Sequence, residues 1–188
     1  MFSDLHACKR ALSDIAPLLD GVDLSIFCGD MLGYGDDVDY CIDYVLREMD
    51  LVVLGNHDRL SITDEDLSHQ HPVVQASIRH TREALTEDQV MKISSLPREL
   101  WHEDLYITHS IGDDYLRTEE DVERILARMH EDTRYAFFGH THEQLVWRTG
   151  GRTIVNPGSI TKGRRDSQRG CAIVNGRDVQ MLKFEDIL

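Results

Sequence analysis

The sequence is poor in several things that would place it quickly. Of its 188 residues only four are lysine, four are proline and two are tryptophan. No apolar run approaches the roughly 18 residues a membrane-spanning helix needs, so none is expected. The opening Met1-Phe2-Ser3-Asp4 has neither a basic nor an apolar stretch, so no secretory leader is expected and a cytoplasmic setting is inferred. Cys8, Cys28, Cys41 and Cys171 lie far apart with no Cys-x-x-Cys pair, which excludes the common zinc motifs and reads as reduced core thiols. Positive charge is scarce too: 20 Lys+Arg face 34 Asp+Glu, a formal net charge of −14. Proteins that grip phosphate backbones release counterions with clustered Lys and Arg, so nucleic acid is disfavoured as a partner, as are anionic membrane surfaces.

What is present is a globular composition. Hydrophobic residues make up 41% of the chain, too many for a disordered segment. No repeat, low-complexity run or linker divides it, so residues 1–188 are read as one domain. A domain of that size buries roughly 70% of its unfolded surface.

Helix and strand alternate first. Cys8, Leu12, Ile15, Ala16 and Leu19 have helical spacing, and Val38, Cys41, Ile42, Val45, Leu46 and Met49 form an unbroken stripe. Leu24–Cys28, Leu51–Leu54 and Leu105–Thr108 read as buried strands. Residues 59–100 read as polar and helical, with a capping box at Thr86-x-x-Gln89. Thr118 starts a helix whose buried side is Val122, Ile125, Leu126 and Met129. Strands follow at 135–138, 144–148, 152–155, 170–175 and 178–184, with a hairpin signal at Asn175-Gly176. An α/β start and a strand-rich finish predict two packed sheets with helices outside.

Five strand ends stop at polar clusters: Asp4-Leu5-His6, Gly29-Asp30, Gly55-Asn56-His57-Asp58, Thr108-His109 and Gly139-His140-Thr141-His142. Ligand sites collect at such ends in open α/β sheets. Carboxylates, a carboxamide and imidazoles without thiolate suit Mn, Fe, Zn or Ni. Asp4/His6 and His140/His142 are spaced to project to one side of an extended segment, and the glycines at 29, 55 and 139 are expected to let the backbone turn sharply. Seven ligands exceed one ion's need and fit two, about 3.5–4 Å apart, holding a hydroxide and clamping phosphate oxygens.

In this order the clusters resemble the calcineurin-like metallophosphoesterases, over nearly the whole chain. Gly29-Asp30-Met31-Leu32-Gly33-Tyr34-Gly35 and Asn156-Pro157-Gly158-Ser159 look most like the compact bacterial and archaeal phosphodiesterase-like branch. The resemblance implies a four-layer αββα sandwich of two mixed β-sheets flanked by helices. It implies that Asp4, His6, Asp30 and His142 hold one metal and that Asp30, Asn56, His109 and His140 hold the other, Asp30 bridging. His57 would be the catalytic histidine that contacts phosphate and protonates the leaving oxygen. Mn is the first choice of metal, with Fe, Zn or Ni as alternatives. The implied activity is hydrolysis of small phosphodiesters, nucleotides or phosphomonoesters by a metal-bridging hydroxide. A non-catalytic scaffold on the same fold and a nuclease of the same superfamily are the competing readings. Gly33 and Tyr34 stand where protein Ser/Thr phosphatases carry an Asp that orients the histidine and an Arg that grips phosphate, so a protein phosphatase is disfavoured.

The remaining polar residues have plainer readings. Asp58 is read as a structural partner of its loop and not a ligand, and Asp36, Asp37 and Asp39 as caps of the second helix. His69, His71, His80, His102 and His130 fit no motif and are read as surface. Lys162-Gly163-Arg164-Arg165 is the one basic cluster, and Arg164 or Arg165 is a candidate for binding a substrate phosphate through its planar fork. A homo-oligomer is neither required nor excluded.

Overall fold

Alternate residues of each strand face opposite ways, and that alternation builds the architecture. The computed structural model describes residues 1–187; Leu188, the end of the expected domain, lies outside the described residues. One sheet is a mixed five-stranded layer in the order β3 (Glu99–His102), β4 (Leu105–Thr108), β5 (Tyr135–Phe137), β7 (Arg152–Pro157), β6 (Gln144–Thr149). The other joins β1 (Ile26–Phe27), parallel to β2 (Leu51–Val52), to the hairpin of β8 (Gly170–Asn175) and β9 (Asp178–Lys183). The first two residues bridge these halves. Phe2 pairs in parallel with Phe27, while Met1 and Ala172 exchange two hydrogen bonds of 2.9 and 3.0 Å.

The alternation is explicit in the cores. Ile26, Cys28, Ile107, Phe137, Val155 and Ala172 pack between the two sheets. Their strand neighbours Tyr106, Ala136, Phe138 and Ile154 face outward, beneath Val122 and Ile125 of α6 (Glu119–Leu126). On the far side Phe2 and Phe27 pack under Ile15 of α1 (Leu12–Leu19) and under Cys41, Ile42 and Val45 of α2 (Val38–Glu48). Each fully buried Ile or Phe contributes roughly 1.5–3 kcal/mol. The four layers are those expected.

Local details differ from expectation. Residues 59–100 hold three helices, α3 (Asn56–Ile62), α4 (Pro72–Ala84) and α5 (Glu87–Ser94), but Glu99–His102 is an edge strand antiparallel to β4. Half of that strand is exposed, so it shows no apolar alternation to read. The strands β1 and β2 are shorter than the apolar runs that contain them, because the chain leaves the sheet early to form polar loops. Asp37 occupies the N-cap position of α2, yet its side chain accepts from the Lys9 N–H (3.0 Å) instead of capping. Asp39 accepts from Gln89 Nε2 (2.8 Å) and Asp36 pairs with His80 (3.1 Å), so these acids tie neighbouring elements to α2. Gly176 supplies the positive φ (+55°) of the β8–β9 turn.

Candidate metal centre

The polar loops follow parallel strands of both sheets, and their side chains converge. Asp4 Oδ1 lies 3.1 Å from His142 Nε2 and 3.9 Å from His6 Nε2. Asp30 Oδ2 lies 3.3 Å from His109 Nε2 and 4.0 Å from His6 Nε2. His109 Nε2 is 3.2 Å from Asn56 Oδ1. Donor atoms gather into three overlapping buried groups: Asp4, His6 and His142; Asp30, His109 and His140; and His6, Asp30 and His57. Asp30 belongs to two of them.

Each imidazole among the expected ligands has its second nitrogen on a backbone carbonyl. His6 Nδ1 donates to Leu32 O (3.1 Å), His109 Nδ1 to Cys28 O (2.7 Å) and His142 Nδ1 to Lys162 O (2.9 Å), with tautomers assigned from those partners. His140 is reversed, with Nε2 on Asp113 O (3.0 Å). Such bonds fix ring and tautomer in metal sites. They also leave bare lone pairs facing one another: His6 Nε2 and His142 Nε2 are 3.2 Å apart, and the adjacent, buried Asp4 Oδ1 has no hydrogen-bond partner. Converging acceptors of this kind are unfavourable alone and favourable around a cation, so the residues fit a divalent metal.

The backbone is strained at the same places. Asp4, His6, Asp30, His140 and His142 all have φ between 50° and 69°, a region non-glycine residues seldom occupy. Buried hydrogen bonds hold them there. Asp58 accepts from the N–H groups of Asp30 (2.9 Å), Leu32 (2.9 Å) and Gly55 (3.0 Å), lashing the β1 loop to the β2 loop. Asn156 Nδ2 donates to Gly139 O (2.8 Å) and Thr141 Oγ1 (3.0 Å), and Ser159 Oγ donates to Asp4 O (2.9 Å). The glycines need a correction. Gly29 has positive φ (+90°), but Gly55 is extended and Gly139 is not left-handed. What they supply is space: a Cβ on Gly55 would lie 2.0 Å from Asp30 Oδ1, and one on Gly139 would lie 2.0 Å from Ser3 Oγ.

Charge in the centre is uneven. Burial alone would raise the Asp4 and Asp30 carboxyls, but His142 beside Asp4 and His109 beside Asp30 outweigh it and hold both below the usual carboxylate range. Burial would lower His109, yet Asp30 raises it to about 10. Burial, then neighbouring imidazoles, push His6 down to about 3 and His140 to about 4. Burial and the Asp30 charge lift Asp58 to about 7. Two anionic carboxylates with neutral His6 and His140 make a ligand set, and His109 carries a proton for a metal to displace.

Beside the centre lies a cleft of about 510 Å³. Asp30, Asn56, His57, His140 and His142 form its floor, Leu60, Val73 and Val74 an apolar wall, and Tyr34, Tyr115 and Arg164 part of its rim. Tyr115 stacks on His140 (4.4 Å between ring centroids), and its hydroxyl accepts from Arg164 Nη1 at 2.9 Å. Arg165 does not line this cleft; its Nε is 3.3 Å from Glu143, on an exposed edge. His71, read as surface, is exposed but lines the cleft and caps α4 by accepting from the Val73 N–H.

A profile of the calcineurin-like phosphoesterase superfamily domain matches residues 1–178. The chain belongs to that superfamily. Solved structures share the fold of this phosphoesterase-family chain. A metallophosphoesterase from Sphaerobacter thermophilus superposes with a TM-score of 0.81 at 22% identity, covering 98% of this chain and 87% of that one. A hypothetical protein from Pyrococcus horikoshii OT3 gives 0.78 at 17% identity, with 99% and 87% coverage. In sequence, an uncharacterized protein of Methanocaldococcus jannaschii is 27% identical over 99 residues. That match spans 52% of this chain and 41% of that relative, less than half its length. For a family member of this kind, the sequence pointed to the seven candidate ligands and to Asp58 as a loop partner, but not to Tyr115 or to the bracing bonds of Asn156 and Ser159. The Asn-Pro-Gly-Ser string was a signal of the last two.

Proposed function

We propose that the chain is a metal-dependent phosphoesterase hydrolysing small phosphodiesters, nucleotides or phosphomonoesters in the cytoplasm, where its four free cysteines stay reduced. One observation supports this most: Asp30 stands between two clusters of buried, pre-oriented ligand atoms. Asp4, His6, Asp30 and His142 would hold one divalent cation, and Asp30, Asn56, His109 and His140 a second, Mn before Fe, Zn or Ni. Such a pair supplies Lewis acidity that activates water near neutral pH and neutralises phosphate charge.

The side chains divide the remaining work. His57, at the cleft floor, contacts the phosphate and gives a proton to the leaving oxygen, a role suited to imidazole. Arg164, held by Tyr115, meets a phosphate oxygen from the rim. The wall of Leu60, Val73 and Val74 takes the organic part of the substrate. The test is turnover of bis-p-nitrophenyl phosphate and p-nitrophenyl phosphate by purified protein. Stripped protein should be inert and Mn²⁺ should restore activity; turnover that persists in excess chelator refutes the metal role. Single-stranded DNA in the same panel separates the nuclease reading.

A further inference from the structure

His57 is held differently from every other imidazole in the centre. Its ring is buried, with 6% of the residue exposed, yet Nδ1 has no hydrogen-bond partner. The four neighbouring histidines each place a nitrogen on a backbone carbonyl. Shape takes the place of that bond at His57. Its Nδ1 edge faces Gly33 so closely that a Cβ there would fall 2.4 Å from Nδ1 and 3.1 Å from Cγ. The rings of Tyr34 and His6 flank it, each with its centroid 4.8 Å away. With Nδ1 closed off, Nε2 is the nitrogen left for the cleft.

Tyr34 is itself held in an unusual way. Its φ is +56°, a conformation bulky residues rarely adopt, and its N–H donates to Ser77 Oγ of α4 at 2.7 Å. Strain of this kind persists where surrounding structure over-determines it, often at functional sites. The hydroxyl plays no part in these contacts; the ring does.

We propose that Tyr34 is a positioning residue, whose ring, set by α4 through Ser77, aims His57 Nε2 at the substrate in place of a hydrogen bond to Nδ1. This rests on the reading of His57 as the group that meets the leaving oxygen. Tyr34→Ala frees the ring, whereas Tyr34→Phe keeps it in place.

Two measurements decide the matter. In metal-free protein labelled with ¹⁵N-histidine, His57 should give one narrow set of ring signals in the parent and in Tyr34→Phe, and a broadened or shifted set in Tyr34→Ala. In Mn²⁺-loaded protein, Tyr34→Ala should lower kcat about 10- to 100-fold for diesters with poor alkoxide leaving groups, the scale of a misplaced catalytic group. With p-nitrophenolate, which needs little protonation, the loss should stay within about 3-fold, and Tyr34→Phe should match the parent on both. In a His57→Ala background Tyr34→Ala should add no further loss. Multiplying losses, an effect on KM alone, or a fall in bound Mn²⁺ would overturn the proposal, the last by showing that Tyr34 acts through His6. Were the protein inert toward every phosphoester, the functional reading would fall, while the ring spectra would still decide whether Tyr34 holds His57.

Discussion

Gly55→Ala adds one methyl group at the tightest point of the metal centre. The Gly55 backbone is extended (φ −89°, ψ 176°), so alanine fits the conformation and only space opposes it. The new Cβ would lie 2.0 Å from Asp30 Oδ1, 2.3 Å from Asp30 N and 2.7 Å from Asp30 Cγ, where ordinary contacts exceed 3.4 Å. One of these atoms is backbone and cannot rotate away. Relief requires the β2 loop to move off the β1 loop by about an ångström, which breaks His57 N–H to Asp30 Oδ1 (2.8 Å) and Asp30 N–H to Asp58 Oδ2 (2.9 Å). Overpacking costs about 1–3 kcal/mol and each lost bond to a charged acceptor about 1.5–3. The sum is roughly 4–9 kcal/mol, a large part of the 5–15 that hold a typical domain. Denaturant melts in chelator measure this directly, and calorimetric Mn²⁺ titration of whatever folds should show weakened binding. Gly21→Ala is the control, since its Cβ would meet nothing closer than 3.8 Å, and it should fall within about 0.5 kcal/mol of the parent. If Gly55→Ala also falls within about 0.5 kcal/mol and binds metal normally, close packing of the two loops is not what fixes Asp30.

Other outcomes follow from the same geometry. Asn156→Ala removes three buried hydrogen bonds, to Gly139 O, Thr141 Oγ1 and Gly158 N, and should cost about 2–4 kcal/mol in equilibrium melts. Arg164→Ala should raise KM several-fold for a phosphate ester, whereas Arg165→Ala, paired with Glu143 outside the cleft, should leave it within about 2-fold. His109 has a folded pKa raised to about 10, so its stabilising effect is complete below its unfolded value near 6.5 and drains away as pH rises toward 10. Metal-free parent protein should therefore lose melting temperature between about pH 6.5 and 8.5 relative to His109→Gln; parallel profiles would contradict the Asp30–His109 pairing.

The layers were legible because buried strands repeat with period two and helices with period 3.6, and both show as apolar pattern. The strand Glu99–His102 did not, because an edge strand with half its residues exposed has no pattern to impose. The candidate ligands stood out because each sits where an apolar run stops. Their supports were legible only in part. Asp58 was legible as a partner of its own loop, but not as the tie between two loops that its three N–H donors make it. Gly55 and Gly139 were read as hinges, whereas their function is to let another loop's side chain occupy the space a Cβ would fill. Of two adjacent arginines only Arg164 reaches the cleft, a distinction set by tertiary contact with Tyr115 and not by local sequence.

The seam formed by the first two residues has a kinetic consequence. Met1 and Phe2 lie between β1 and β8, so Met1 meets its neighbour Ala172 across 171 positions of chain. Contacts that distant form late, because loop closure must precede any gain from them. Asp4, Leu5 and His6 bond to Gly29 and Asp30 across only about 25 positions, so the contact of Met1 with Ala172 is the later step of refolding. Pulse-labelled hydrogen exchange during refolding should find the Ala172 amide, bonded to Met1 O, gaining protection later than the Leu5 and His6 amides, bonded to Asp30 O.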